Sequence, residues 1–269
     1  MSLFGAPRVR TRGIMALAVV ATAAGATAPI MSAEIPPGER RSGYEFMSPE
    51  TRAMQDDDSA NPGTFWVLDG ETLWSQKAGE ANRACADCHG DARDSMKGVA
   101  ARYPAFYAAR SRPIDLEQRI NICRTEKQKA PALAAESKEL LALTAFVGRQ
   151  SRGMPITISG DRLIEFLEAG RSLFHRRQGQ LNLSCSQCHD DNWGKVLAGN
   201  TIPQAHPTGY PIYRLEWQGL GSLQRRLRNC MIGMRAEPYE FGAPEQVALE
   251  LYLMWRARGL KMETPGVRP

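Results

Sequence analysis

The chain has 269 residues, 43% of them hydrophobic and 23% charged, with 34 basic against 29 acidic side chains and a formal net charge of +5. Length and apolar content suit two small domains and exclude a disordered chain, and so slight a charge gives no reason to expect a nucleic-acid ligand. The six cysteines are the compositional feature that asks for an explanation.

Met1 to Ala33 holds Arg8, Arg10 and Arg12, no acidic residue, and an apolar run of 15 residues from Ile14 to Ala28. This predicts a signal peptide over 1–33, cleaved before Glu34, and a periplasmic product; the run is too short to span a bilayer comfortably. Without it, 34 basic residues less three leaves 31 against 29 acidic. No later stretch approaches the length of a membrane span, so none is expected in the mature chain. Glu34 to Pro62 is rich in Pro, Gly, Ser and charge and is expected to be an irregular N-terminal arm that wraps over the domains or a partner.

The remainder repeats. At a shift of 100, Gly70, Leu73, Trp74, Gly79, Asn82 and Cys85 meet Gly170, Leu173, Phe174, Gly179, Asn182 and Cys185. At 107, Leu116, Arg119, Ile120 and Cys123 meet Leu223, Arg226, Leu227 and Cys230, and at 106 Leu143, Phe146, Arg152 and Gly153 meet Leu249, Tyr252, Arg258 and Gly259. Such self-similarity indicates two copies of one unit. Apolar helical spacing over 136–148 and 244–259, with alternating strand patterns scarce, predicts an all-α fold. We expect two tandem cytochrome c-like domains, 63–155 and 156–269.

Each copy contains Cys-x-x-Cys-His: Cys85, Cys88 and His89, then Cys185, Cys188 and His189. A redox dithiol or half a zinc site needs no trailing His, and no β-branched run precedes either motif. Two thiols one helical turn apart can form thioethers to haem vinyls while the His ligates iron, so the chain is expected to carry two covalently attached haem c groups.

Cys123 and Cys230 remain, one per copy. A disulfide between them, two buried free thiols, and axial thiolate ligands to the two irons are the available readings, and matched placement favours the last. That gives metal ligands His89, Cys123, His189 and Cys230, with low haem potentials. Met96, Met154, Met231, Met234 and His175 do not recur between copies, nor does His206, the first substitute for Cys230. Pro- and Gly-broken residues 190–213 cannot be regular helix and should wall the second haem, with Trp193, Tyr210, Tyr213 and Trp217 around the porphyrin or in the core. Arg226 precedes Cys230 by four residues, on the same helical face. Its guanidinium would favour the thiolate and offer a fork to a small oxyanion, or bind a haem propionate as its counterpart Arg119 would in the first copy.

The paired motifs, Gly209-Tyr-Pro-Ile-Tyr-Arg-Leu-Glu-Trp-Gln218, Gly221-Ser222-Leu223, the Arg226–Cys230 spacing, Ser48-Pro-Glu-Thr-Arg52 and Asn61-Pro-Gly63 together resemble the SoxA family, the larger subunit of the SoxAX cytochromes of sulfur oxidation. The resemblance covers nearly the whole mature chain and, with the first motif retained, is to the dihaem type. It implies oxidative joining of thiosulfate to a cysteine of the SoxYZ sulfur carrier, with two electrons passed to cytochrome c. It further implies Cys230 as the active-site ligand, borne as a persulfide, with Arg226 beside it in catalysis and substrate binding. A SoxX-like haem subunit would be the partner, and the first haem a structural or vestigial centre. A dihaem electron carrier without substrate and a tetrathionate-forming thiosulfate dehydrogenase are the competing functions.

Overall fold

The computed structural model describes residues 1–3, 5 and 34–269; apart from those first four, the expected signal peptide lies outside the described residues. In chain order the helices are α1 Pro49–Asp56, α2 Gly63–Ser75, α3 Ala86–His89, α4 Ala92–Ser95, α5 Leu116–Cys123, α6 Lys138–Arg149, α7 Ile164–His175, α8 Cys185–His189, α9 Leu223–Gly233 and α10 Pro244–Arg256. Side-chain caps start several of them: Ser48, Ser137 and Ser222 accept from the N–H groups of Thr51, Leu140 and Arg225, satisfying donors that the first helical turn leaves open.

Two helix pairs carry the architecture, α2 against α6 and α7 against α10. Both crossings occur at glycine. A Cβ at Gly70 would sit 2.1 Å from the Ala142 carbonyl oxygen, and one at Gly170 would sit 2.1 Å from that of Ala248. Backbones packed this closely admit no side chain, which is why glycine stands at both matched positions.

The all-α expectation is overturned. Strands β1 Ala105–Tyr107, β2 Arg112–Ile114, β3 Val196–Leu197, β4 Asn200–Thr201, β5 Ile212–Arg214, β6 Gly219–Gly221 and β7 Gly266–Arg268 form three small sheets, β1–β2, β3–β4 and β6–β5–β7. Proline and glycine bar helix from these stretches, and their backbone groups pair across the chain instead. At two or three residues each, the strands are too short to write a two-residue period into the sequence. The sheets still obey the repeat. Ala105 opposes Ile114 as Ile212 opposes Gly221, each pair displaced by 107. The second half adds β7, parallel to β5.

The arm also departs from expectation, since two 3₁₀ turns, Pro37–Glu39 and Gly43–Phe46, lead into α1. It is held against the second half: Arg41 N donates to Gln204 Oε1 at 2.7 Å, Gln204 Nε2 to the Glu39 carbonyl at 3.1 Å, and His206 Nδ1 to the Arg41 carbonyl at 2.7 Å.

Residues 32–269 fold as one compact unit. One apolar cluster joins Ala100 and Ala101 of the first half to Leu251, Met254 and Met262 of the second. The halves differ just after their lone cysteines. Six positions separate Cys123 from Lys129 but five separate Cys230 from Arg235, although Lys129 and Arg235 share a left-handed backbone, φ 56° and 55°. A single π-helical turn, Arg124–Gln128, takes up the extra residue. No helix among the described residues is long and apolar enough to cross a membrane.

Candidate functional site

Each motif forms one short helix: the first brings both thiols and its imidazole to one cavity, while the second brings its imidazole to another, with its thiols on the helix alongside. In the first half a cavity of about 220 Å³ is lined by Cys85, Cys88, His89, Arg119 and Cys123, with Trp74 on its wall. Trp74 Nε1 donates to the Gly90 carbonyl at 3.0 Å, and its ring lies 5.7 Å from that of His89, so α2 buttresses the motif. Arg119 is committed locally: Nε donates to Tyr103 Oη at 3.3 Å, and the guanidinium stacks on Tyr107, 4.4 Å from the ring centre. Burial pushes the Cys123 thiol up, and Arg119 opposes it.

The second motif is fixed by a reciprocal cap. Ser184 Oγ accepts from Gln187 N while Gln187 Oε1 accepts from Ser184 N at 2.9 Å. His189 Nδ1 donates to the Pro203 carbonyl at 2.6 Å. A carbonyl can only accept, so the proton sits on Nδ1 and the Nε2 lone pair is left for a metal, the usual arrangement of a ligating histidine. Burial, against the Pro203 bond, pushes His189 down and keeps it neutral. Among the described residues His89 makes no such bond, so only the second motif has its tautomer set by the fold.

The second cavity, about 190 Å³, is lined by His189, His206, Tyr210, Arg214, Arg226 and Cys230. α9 presents Arg226 and Cys230 one turn apart. Cys185 and Leu227 of α9 pack against the same apolar cluster, which brings α9 to the motif; burial, with Cys230 next, pushes the Cys185 thiol up to about 12. Burial lowers the Arg226 guanidinium, but Cys230, Tyr210 and Glu216 together hold it above its ordinary value. Unlike Arg119, its side chain makes no hydrogen bond or aromatic stack among the described residues.

The residues expected at the sites are thus brought together: Cys85, Cys88, His89 and Cys123 in one cavity, His189, Arg226 and Cys230 in the other, with Cys185 and Cys188 on the helix beside it. None of the six cysteines is in a disulfide, so Cys123 and Cys230 are not paired with each other. Of the four aromatics only Tyr210 lines the second cavity. Trp193 packs against Phe46 and Arg41 of the arm, Tyr213 against Trp66, and Trp217 lies beneath Arg214 and Arg225. His175 stands apart, edge-on to Phe174. His206 shares the second cavity but is held through Nδ1 by the arm, and burial pushes it down to about 4.

Arg214 and Arg268 were not singled out from sequence. They close β5 and β7 and reach the Cys230 cavity through strand pairing alone. Only the stretch Gly209–Gln218 gave a signal, as part of a family likeness.

Two thiols and an imidazole on one short helix, with a further thiol from α5 or α9, suit a covalently attached haem at either cavity. No group of three His, Cys, Asp or Glu is placed closely enough to share one metal ion among the described residues.

A family model described as the SoxA/TsdA cytochrome c domain matches residues 69–156 and again 169–262. The chain is 39% identical to the L-cysteine S-thiosulfotransferase subunit SoxA of Pseudaminobacter salicylatoxidans, the match covering 86% of this chain and 81% of that protein. It is 36% identical to the subunit of the same name from Rhodovulum sulfidophilum, over 86% and 80%. The crystal structure of SoxXA from P. pantotrophus superposes with a TM-score of 0.83 at 31% identity, covering 86% of this chain and 87% of that one.

Proposed function

This chain belongs to the SoxA/TsdA cytochrome c family, a family of proteins with covalently bound haem c, and on that premise we propose that it works as an L-cysteine S-thiosulfotransferase subunit with two such haems. The reaction joins thiosulfate to a cysteine of a SoxYZ carrier, R–SH + S₂O₃²⁻ → R–S–S–SO₃⁻ + H⁺ + 2e⁻. An S–S bond forms, sulfur is oxidised, and the electrons leave through a SoxX-like cytochrome partner in the periplasm. His189 and Cys230 would hold a haem at the second cavity, and that haem when bound would supply a nearby electron acceptor.

The chain's own groups do the rest. Cys230 offers the sulfur that meets the substrate, as thiolate or as the persulfide implied by the family. Arg226, on the same face, offers a planar fork matched to the sulfonate oxygens. Apolar Leu223, Leu227 and Leu253 line the same cavity, limiting water around the charged groups and strengthening their attraction. The two domains, 63–155 and 156–269, follow from the repeat.

The observation that carries this reading is the contrast between matched arginines. Arg119 is occupied by Tyr103 and Tyr107, whereas Arg226 faces Cys230 with its fork unclaimed. The test is turnover of thiosulfate by the haem-loaded protein, with its cytochrome partner, in the presence and absence of the carrier. Carrier-dependent sulfur transfer is expected; tetrathionate formed without carrier, or no turnover of any sulfur donor, would overturn the proposal. An intact-mass measurement should add two haem increments and reveal whether Cys230 bears an extra sulfur.

A further inference from the structure

Strand β5 ends at Arg214, the position that the repeat matches to Tyr107. Tyr107 gives the first half a ring for Arg119 to lie on. The second half has a guanidinium at that place instead, in the same cavity as Arg226. Neutralising Arg226 with an aromatic face is thereby replaced by setting a like charge beside it.

Arg214 cannot simply swing away. Its backbone is paired on both sides, opposite Gly219 of β6 and Arg268 of β7. Its side chain is only 10% exposed, and its guanidinium lies over Trp217, 5.2 Å from the ring centre. Glu216 Oε1 is 2.9 Å from Nε, yet off the N–H axis, so this buried Nε–H lacks a hydrogen-bond acceptor. Burial and then the charge of Arg226 push the Arg214 guanidinium down. The third arginine of the cavity is already spent, since Arg268 donates to Glu263 at 3.0 Å and to Gln55 at 2.5 Å.

The guanidinium groups of buried Arg214 and half-buried Arg226 face one cavity and repel each other, a repulsion that Glu216 offsets in part and that an anion between them would relieve. We infer that Arg214 is a second substrate-binding residue, forming with Arg226 a two-cation clamp that selects dianionic over monoanionic sulfur oxyanions. This rests on the reading of the Cys230 cavity as the thiosulfate site. One guanidinium suffices for a monoanion; the second matches the second charge.

The test uses haem-loaded protein with its cytochrome partner and saturating carrier. Arg214→Gln should raise the KM for thiosulfate about tenfold or more, the loss expected for one charge-assisted contact, with kcat nearly unchanged. Inhibition by sulfate should weaken far more than inhibition by nitrate, a ratio that a purely structural defect would not move. Arg214→Lys should recover part of the KM. Should Arg214→Gln not fold, Glu216→Gln removes the competing carboxylate and should lower KM. An unchanged KM in these variants overturns the inference, and a shifted haem potential with unchanged KM would make Arg214 a propionate partner instead. If Arg226→Gln raises KM while Arg214→Gln does not, this inference alone fails; if the parent protein does not use thiosulfate, the underlying reading fails with it.

Discussion

The two halves of this molecule place the same kind of cavity beneath the same crossed helices, yet they treat its cations in opposite ways. In the first, Arg119 rests on Tyr107 and bonds Tyr103. In the second, Arg226 and Arg214 both face the cavity, Arg214 with a buried Nε–H that has no hydrogen-bond acceptor and Arg226 without a side-chain hydrogen bond among the described residues. Under the proposed function, a quiet haem site and a reactive one would need to differ neither in fold nor in iron ligands. They differ in whether the polar groups around the haem have already found partners, because an unsatisfied donor in a cavity is stabilised only when a ligand arrives.

The sharpest way to break the comparison is to exchange the cysteines. Cys230→Ala should reduce carrier-dependent turnover to background with both haems still attached, while Cys123→Ala largely spares it; equal residual rates would erase the distinction between halves. Next in size, Arg226→Gln should cost about 1.5–3 kcal/mol in kcat/KM for thiosulfate, against little change for Arg119→Gln, measured at low substrate.

The scaffold should answer symmetrically where the site does not. Gly70→Ala and Gly170→Ala each drive a methyl toward a carbonyl oxygen 2.1 Å away and should each destabilise by about 1–3 kcal/mol, as overpacking does; denaturant titration of both variants checks whether the crossings are equivalent.

The smallest effect concerns Glu250, whose counterpart at a shift of 106 is Thr144. Burial, then Asp115, pushes the Glu250 carboxyl up to about 8, while Gln224 donates to both acids. A carboxyl raised in the folded state binds more protons there than in the unfolded chain. It therefore opposes folding progressively as pH climbs from about 4.5 toward 8. Glu250→Gln should accordingly be more stable than the parent at pH 8 and about equal to it near pH 4.5, read as the difference in melting temperature across that range.

The haem motifs and the repeat were legible in the sequence because covalent attachment needs its residues contiguous, and because duplication leaves matched spacings. The pairing of Arg226 with Cys230 was legible for a similar reason, since one helical turn separates them. The sheets were not, for β5 acquires its neighbours from residues as distant as Gly266, and three residues carry no period. Arg214 was missed with them. Helix α1 was missed although Ser48 and Pro49 are a start signal, because the composition of the arm outweighed it. Trp217 was expected around the porphyrin or in the core, whereas its ring lies beneath Arg214 and Arg225.

The apolar floor common to both copies, Ala100 and Ala101 meeting Leu251 and Met254, has an evolutionary corollary. A lineage could discard the iron chemistry of its amino-terminal copy without being able to discard the copy itself, for the surviving centre would lose its foundation. Duplication of this kind would act as a ratchet: a copy whose reactivity lapsed would stay as masonry, retained for its bulk.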